Sequence, residues 1–210
     1  KGGKLTTWEG GMRAPMVIKW PGVIKPGTIK KEMFASLDWM PTLVDIAGGA
    51  KGNTLNEQIM GGRYPGIVKT KLDGVNQVDY LSGKSEKSAR EVFFYYTGPR
   101  PSAVRYKNWK LYYTMVGAGP MDGLTGAVSY HWTQIANIKR DPFETTVGSD
   151  GKSLLGMGGA LAAPSTAYLY NWNILPIGQL LWLKELESFK EFPPMQDPAS
   201  YNLDSVLQQI

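Results

Sequence analysis

The first residues able to do chemistry stand at the amino end, in Gly2-Gly3-Lys4-Leu5-Thr6-Thr7-Trp8-Glu9-Gly10-Gly11. A lysine flanked by glycines and hydroxyls can deliver a compact positive charge to an oxyanion while the glycines keep the approach open. On composition alone an exposed lysine in a turn is the better reading. The GxxxxGK[ST] spacing of a phosphate-binding loop is absent, because Leu5 follows Lys4. Glu9 and Arg13 stand four apart, but Gly10 and Gly11 between them argue against a helix. A salt bridge or backbone clamp bracing the loop is the expected role, with Trp8 as an anchor.

His131, in Ser129-Tyr130-His131-Trp132, is the single histidine. Imidazole can serve as acid, base or metal ligand near neutral pH. With no second histidine and no cysteine, a zinc cluster would need scattered carboxylates, so a structural or surface role is expected. Asp141-Pro142-Phe143-Glu144 reads as a turn and lacks the spacing of an EF-hand. No GxSxG elbow is present. The residues alone yield no complete catalytic constellation, only one anion-contact loop on Lys4.

The elements that must position this loop follow from patterning. Met16-Val17-Ile18-Lys19-Trp20 is a strand candidate ended by Pro21-Gly22. A helix is expected from about Trp39 to Ala47, with Pro41 in its first turn, Leu43, Ile46 and Ala47 as a buried stripe, and Gly48-Gly49 as the stop. A polar hinge at Ser85-Glu86-Lys87-Ser88 separates residues 1–88 from 89–210. Beyond it, Val92–Thr97, Ala103–Tyr106 and Trp109–Tyr113 read as strands, with Lys107-Asn108 as a hairpin turn. Gln134–Ile138 adds an edge, giving a small antiparallel sheet of about four strands. Leu180, Leu181, Leu183, Leu186 and Phe189 mark an amphipathic helix over about 178–190, and Leu203, Val206, Leu207 and Ile210 a short terminal one. The expected class is α+β.

The 210 residues are 42% hydrophobic and 20% charged, a globular balance. The net charge of +5 suits an anionic substrate and an ordinary basic surface alike. No Lys/Arg run interleaves with aromatics as a nucleic-acid surface requires, and no apolar stretch reaches the roughly 18 residues of a membrane span. The chain contains no cysteine, which excludes disulfides and thiolate metal sites. Lys1-Gly2-Gly3-Lys4 has neither initiator methionine nor apolar signal core, and is expected to lie inside a longer polypeptide.

The opening segment through Arg13-Ala14-Pro15 closely resembles the GGK-x-T-x-[WY]-EGG-x-R-x-P motif of formylglycine-dependent sulfatases, members of the alkaline-phosphatase-like superfamily. Val17 to Gly22 resembles their strand ending in Trp-Pro-Gly. Ser36 to Leu43 with Ala47-Gly48 resembles their S-x-x-D-x-x-P-T-L…AG helix. Leu72-Asp73-Gly74 and Leu81-Ser82-Gly83 look like the next landmark. Val104-Arg105 with Trp109-Lys110-Leu111, and Asp141 to Glu144, are similar to the R-x-x-x-[WY]-K-L hairpin and D-P-x-E of the sulfatase tail. The resemblance covers about residues 1–147.

The resemblance implies that residues 1–88 end a large α/β sulfatase domain and that residues 89–210 form a small carboxy-terminal subdomain with a packed helix. It implies hydrolysis of sulfate esters, with Lys4 contacting the sulfate, Gly3, Trp8, Glu9, Gly10, Gly11 and Arg13 as framework, and His131 in a region that lines substrate in some members. It further implies a formylglycine made from a C/S-x-P-x-R segment, and calcium or sometimes magnesium on Asp and Asn oxygens. The nucleophile motif is absent from this chain, and the metal ligands mostly precede the GGK segment, so the isolated chain is expected to be inactive. A missing amino-terminal sulfatase portion is the implied partner, a sulfated carbohydrate or small ester the implied substrate, and the periplasm or exterior the implied location. A phosphatase or phosphodiesterase of the same superfamily, or a noncatalytic module descended from it, are the alternatives.

Overall fold

The computed structural model describes residues 1–66, 70–98, 100–115, 128–147 and 171–193. In chain order the elements are helices α1 (Glu9–Met12), α2 (Trp39–Ile46), α3 (Thr54–Met60) and α4 (Val78–Ser82), strands β1 (Val92–Thr97), β2 (Arg100–Tyr106), β3 (Trp109–Met115) and β4 (Val128–Asn137), and helix α5 (Leu175–Glu191). The architecture is α+β, with a four-stranded antiparallel sheet in the order β1-β2-β3-β4. The chain forms two compact units, Lys1–Ala14 with Phe94–Ile210, and Pro15–Phe93. The first fourteen residues therefore cluster with the sheet, a different grouping from the division at Ser88 read from the sequence.

In the first unit, a hairpin through Lys107-Asn108 pairs Tyr106 with Trp109, Arg105 with Lys110 and Val104 with Leu111. Lys107 takes a left-handed φ of 53°, which lets two residues reverse the chain. Strand alternation then divides the work of β3 between two faces. Leu111 and Tyr113 lie under α5, where a Cβ on Gly178 would stand 2.5 Å from Leu111 Cδ2 and 2.6 Å from the Tyr113 hydroxyl. Lys110 and Tyr112 turn the other way, towards the amino-terminal segment. Both faces of β3 are covered.

The helix seam differs from the expected leucine stripe. Ile174, Gly178 and Trp182 are the buried positions, while Leu180, Leu183 and Leu186 are exposed. Gly178 allows close approach to the strand, and Trp182 fills the space beyond it. Its ring lies 4.9 Å from Phe94 and 5.3 Å from Tyr96 between centroids, contacts worth about 0.5–1.5 kcal/mol each beyond burial. The expected terminal helix near Leu203 lies outside the described residues.

In the second unit, α2 begins at Trp39 as expected but is turned inside out. Thr42 and Asp45 are buried, whereas Met40 (49%), Leu43 (53%) and Ile46 (40%) are exposed. Polar partners explain the orientation. Asp38, wholly buried one residue before α2, accepts hydrogen bonds from Arg90 Nε at 2.9 Å, from the backbone N–H groups of Ala35 and Val75, and from Gln77 Nε2. Thr42 Oγ1 donates to the Asp38 carbonyl at 2.5 Å and accepts from Gln77 N–H at 3.0 Å. Asp45 takes Lys51, Gly52 N–H and Asn76. Buried polar groups must be satisfied, and the segment from Val75 to Arg90, with Ala35, Lys51 and Gly52, satisfies these.

Gly74 has a separate constraint, since a Cβ there would meet the Leu37 carbonyl oxygen at 2.2 Å. Met16–Trp20 is not a strand. Val17 is 97% exposed, and no described residue pairs with the segment. A strand draws its stability from a neighbour, and the described residues offer none.

Candidate functional site

The GGK segment is a loop closed by glycine against glycine. Gly10 N–H donates to the Lys1 carbonyl at 3.0 Å. A Cβ on Gly10 would fall 2.5 Å from the Gly2 carbonyl oxygen, and one on Gly11 would fall 2.3 Å from that of Gly3. The two pairs thus pack backbone on backbone, where no side chain fits. Between them Leu5 adopts a φ of 69° and Thr6 Oγ1 donates to the Gly3 carbonyl at 2.7 Å. Lys4 sits exposed at the tip, and among the described residues its ammonium makes no hydrogen bond or ion pair.

The residues that follow are held rigidly. Thr7, Trp8 and Glu9 are all buried. Lys110, fully buried on β3, donates to the Thr7 carbonyl at 2.7 Å, to Glu9 Oε1 at 3.0 Å and to Glu144 Oε1 at 3.0 Å. Glu144 Oε2 accepts the Glu9 backbone N–H at 2.8 Å, and Tyr112 donates its hydroxyl to Oε1 of the same carboxylate. Tyr95 of β1 donates to Glu9 Oε1 at 3.2 Å, and Arg105 of β2 stands 3.5 Å from Glu9 Oε2. Thr7 and Ser102 share a hydroxyl contact at 3.1 Å. Trp8 packs on Tyr112 with ring centroids 5.7 Å apart.

Two buried carboxylates thus face two cations. Burial pushes the Glu9 carboxyl up, and Lys110, Arg105 and the Tyr95 hydroxyl outweigh it, leaving Glu9 below its ordinary range. Burial, with the Glu144 carboxylate, drives Tyr112 well above its ordinary range, and burial with Glu9 does the same to Tyr95. Both phenols remain neutral donors at neutral pH. A network so fully paired is suited to holding geometry; its carboxylates are not available for proton transfer.

Glu144 reaches the network from the turn predicted at Asp141. The Asp141 carboxylate accepts the backbone N–H and hydroxyl of both Thr145 and Thr146, at 2.7 to 2.9 Å. Glu144 itself lies at a left-handed φ of 55°.

The framework residues read from the sequence come together here, with two corrections. Of the two roles expected for Glu9 and Arg13, the salt bridge gives way, since the Glu9 carboxylate pairs with Lys110 and Arg105 while the Arg13 side chain is exposed, and the backbone clamp remains. Gly10 and Gly11 do not prevent a helical turn: α1 forms across them, with Arg13 N–H bonded to the Glu9 carbonyl at 2.7 Å. Trp8 is an anchor, fully buried. His131 lies in β4, and its side chain falls outside the described residues. Sequence reasoning did not assign Lys110, Tyr112 or Glu144 to the site. The available signal was a lysine at an inward position of an apolar strand, Trp109-Lys110-Leu111-Tyr112, which has to be paired if buried.

Among the described residues, no group of three His, Asp or Glu side chains is placed to hold a metal ion. The described residues thus offer no place for the calcium that the resemblance implies, which it assigns mainly to segments preceding the GGK loop. No helix among the described residues is long and apolar enough to cross a membrane.

Comparison with known proteins agrees with the motifs. Residues 3–113 match the family described as N-sulphoglucosamine sulphohydrolase, C-terminal. The chain is 30% identical to the steryl-sulfatase of Mus musculus over 135 residues, covering 62% of this chain and 19% of that protein. It is 31% identical to human (Homo sapiens) arylsulfatase D over 164 residues, covering 69% of this chain and 25% of that protein. The chain thus spans about a fifth to a quarter of the length of these relatives. In fold it is similar to the PsFucS1 sulfatase from Pseudoalteromonas sp., with a TM-score of 0.70 and 21% identity over 94% of this chain and 34% of that one. By motif and family match the chain belongs to the N-sulphoglucosamine sulphohydrolase C-terminal family, and its fold is similar to that of a bacterial sulfatase.

Proposed function

We propose that the complete protein hydrolyses sulfate esters and that Lys4 is the substrate contact this portion contributes. The observation that carries this reading is the exposed Lys4 ammonium, without a hydrogen bond or ion pair among the described residues, at the tip of a loop whose next residues are clamped by a buried ion network. A mobile surface lysine would need no such support. Its ammonium donates to the non-bridging sulfate oxygens, orienting the sulfur and stabilising the negative charge that develops as the ester bond breaks. A donor of this kind, stronger in the transition state than in the ground state, contributes about 2.7–4 kcal/mol to the barrier reduction.

Formylglycine and a calcium or magnesium ion belong, in this reading, to parts of the complete protein outside these 210 residues. The exposed apolar side of α2 supports an assignment of residues 1–88 to the end of a larger domain, since Met40, Leu43 and Ile46 are side chains a larger core would cover. A sulfated carbohydrate or small sulfate ester is the substrate class, His131 a further substrate-lining candidate, and the periplasm or exterior the location.

The test is free sulfate released by the complete, matured protein from a panel of aryl, steryl and carbohydrate sulfates, comparing wild type with Lys4→Ala. The expected result is turnover by wild type and a loss of about 10²–10³-fold in kcat for the variant. Hydrolysis of phosphate esters with none of sulfates, or equal rates for the two proteins, would overturn it.

A further inference from the structure

The buried network has a feature that stability alone does not require. Its hydrogen bonds fall on the backbone and side chains of Thr7 and Glu9, which flank the buried Trp8 and begin three residues after Lys4. Lys110 grips a main-chain carbonyl, at Thr7, and Glu144 grips a main-chain N–H, at Glu9. Fixing both the acceptor and the donor of so short a segment fixes its path as well as its depth. The segment on the other side of Lys4 is fixed through the glycine packing, because Gly3 is pressed against Gly11, two residues beyond Glu9. Both flanks of Lys4 are therefore referenced to one point, where Lys110 and Glu144 meet at 3.0 Å.

We infer that Lys110 and Glu144 are positioning residues for Lys4, setting where its ammonium stands when a sulfate oxygen arrives. Neither touches the substrate. The inference rests on the sulfate-contact reading of Lys4. A displacement of the loop of around 1 Å moves a cation by a distance sufficient to cost about 10²-fold in rate. The arrangement also explains why lysine serves at position 110: a compact, three-donor ammonium reaches one carbonyl and two carboxylates at once, which a planar guanidinium would not do.

The test is a double-mutant cycle in the complete protein, following sulfate release from 4-nitrophenyl sulfate or the best ester of the panel, with rates normalised to folded enzyme by its unfolding transition. Lys110→Met keeps the volume and removes the charge. In the wild-type background it is expected to lower kcat about 10²-fold with a smaller change in KM. In the Lys4→Ala background it is expected to lower kcat by less than about threefold, since the group it positions is gone. Should Lys110→Met fail to fold, Glu144→Gln, isosteric and retaining an acceptor for the Glu9 N–H, takes its place in the same cycle. Its expected loss is about tenfold alone and none in the Lys4→Ala background. Equal losses in both backgrounds, or no loss per folded molecule, overturn the positioning role. If Lys4→Ala alone leaves the rate unchanged, the sulfate-contact reading itself falls and this inference falls with it.

Discussion

Glu144 and Glu9, 135 residues apart in sequence, are joined by the Glu144 carboxylate accepting the backbone N–H of Glu9 at 2.8 Å in the buried interior of one unit. That bond connects the sulfatase-like D-P-x-E turn to the GGK loop. Removing the carboxylate leaves Lys110 and the Tyr112 hydroxyl short of a buried acceptor. Glu144→Ala should therefore destabilise the protein by about 3–5 kcal/mol, read from chemical denaturation. A change under about 1 kcal/mol would show that the buried pair is dispensable.

Acid sensitivity follows from the same logic in the other unit. Burial pushes the Asp38 carboxyl up, but its hydrogen bonds from Arg90, Val75 and Ala35 outweigh that and hold it below the ordinary aspartate range. With a folded value below the unfolded one, the unfolded chain takes up the proton first. The stabilisation is thus complete above the unfolded value of roughly pH 4 and is lost as pH falls through the lower folded value. Glu9 is lowered likewise and adds to the same slope. Denaturation midpoints should be level near neutrality and fall steeply below about pH 4. Asp38→Asn should flatten part of that fall, and an unchanged slope would contradict the assignment.

Gly178 makes a packing prediction. A Cβ there would meet Leu111 and Tyr113 at 2.5 and 2.6 Å. Gly178→Ala gains helix propensity yet forces α5 off the sheet, and overpacking of this kind costs about 1–3 kcal/mol. Thermal unfolding should shift down. An upward shift would mean the helix has room.

Much of the architecture was legible because local rules and tertiary demands agreed. The β1 limits, the Lys107-Asn108 hairpin and the start of α2 at Trp39 each follow from residue preference and turn chemistry. The stripe on α2 was not, because Thr42 and Asp45 have partners distant in sequence, and these outweigh the pull of Leu43 and Ile46 inward. The α5 seam failed similarly: counting leucines overlooked that a glycine and a tryptophan make the closer fit. At the site, Lys4 and its glycines stood out by motif. Lys110 and Glu144 did not, since nothing local says that a strand lysine and a turn glutamate will meet.

The exposed side of α2 provides a further test in the complete protein. If a larger domain covers it, Leu43→Asp should destabilise by more than about 2 kcal/mol. A truly surface position would change by no more than about 0.5 kcal/mol.

Gly11 links the loop directly to activity. A Cβ at this position would stand 2.3 Å from the Gly3 carbonyl oxygen and 2.6 Å from that of Thr6, so Gly11→Ala must move backbone. Sulfate release should fall about 10²-fold with the far-UV circular dichroism unchanged. Full activity would mean the glycine pairs do not set the position of Lys4.

The most direct measurement is the crystal structure of the complete protein with sulfate bound. The expected result is a sulfate oxygen within about 3.2 Å of the Lys4 Nζ, with Thr7 to Glu9 seated on Lys110 and Glu144. A sulfate held elsewhere, with Lys4 pointing into solvent, would contradict the assignment of this loop to the substrate.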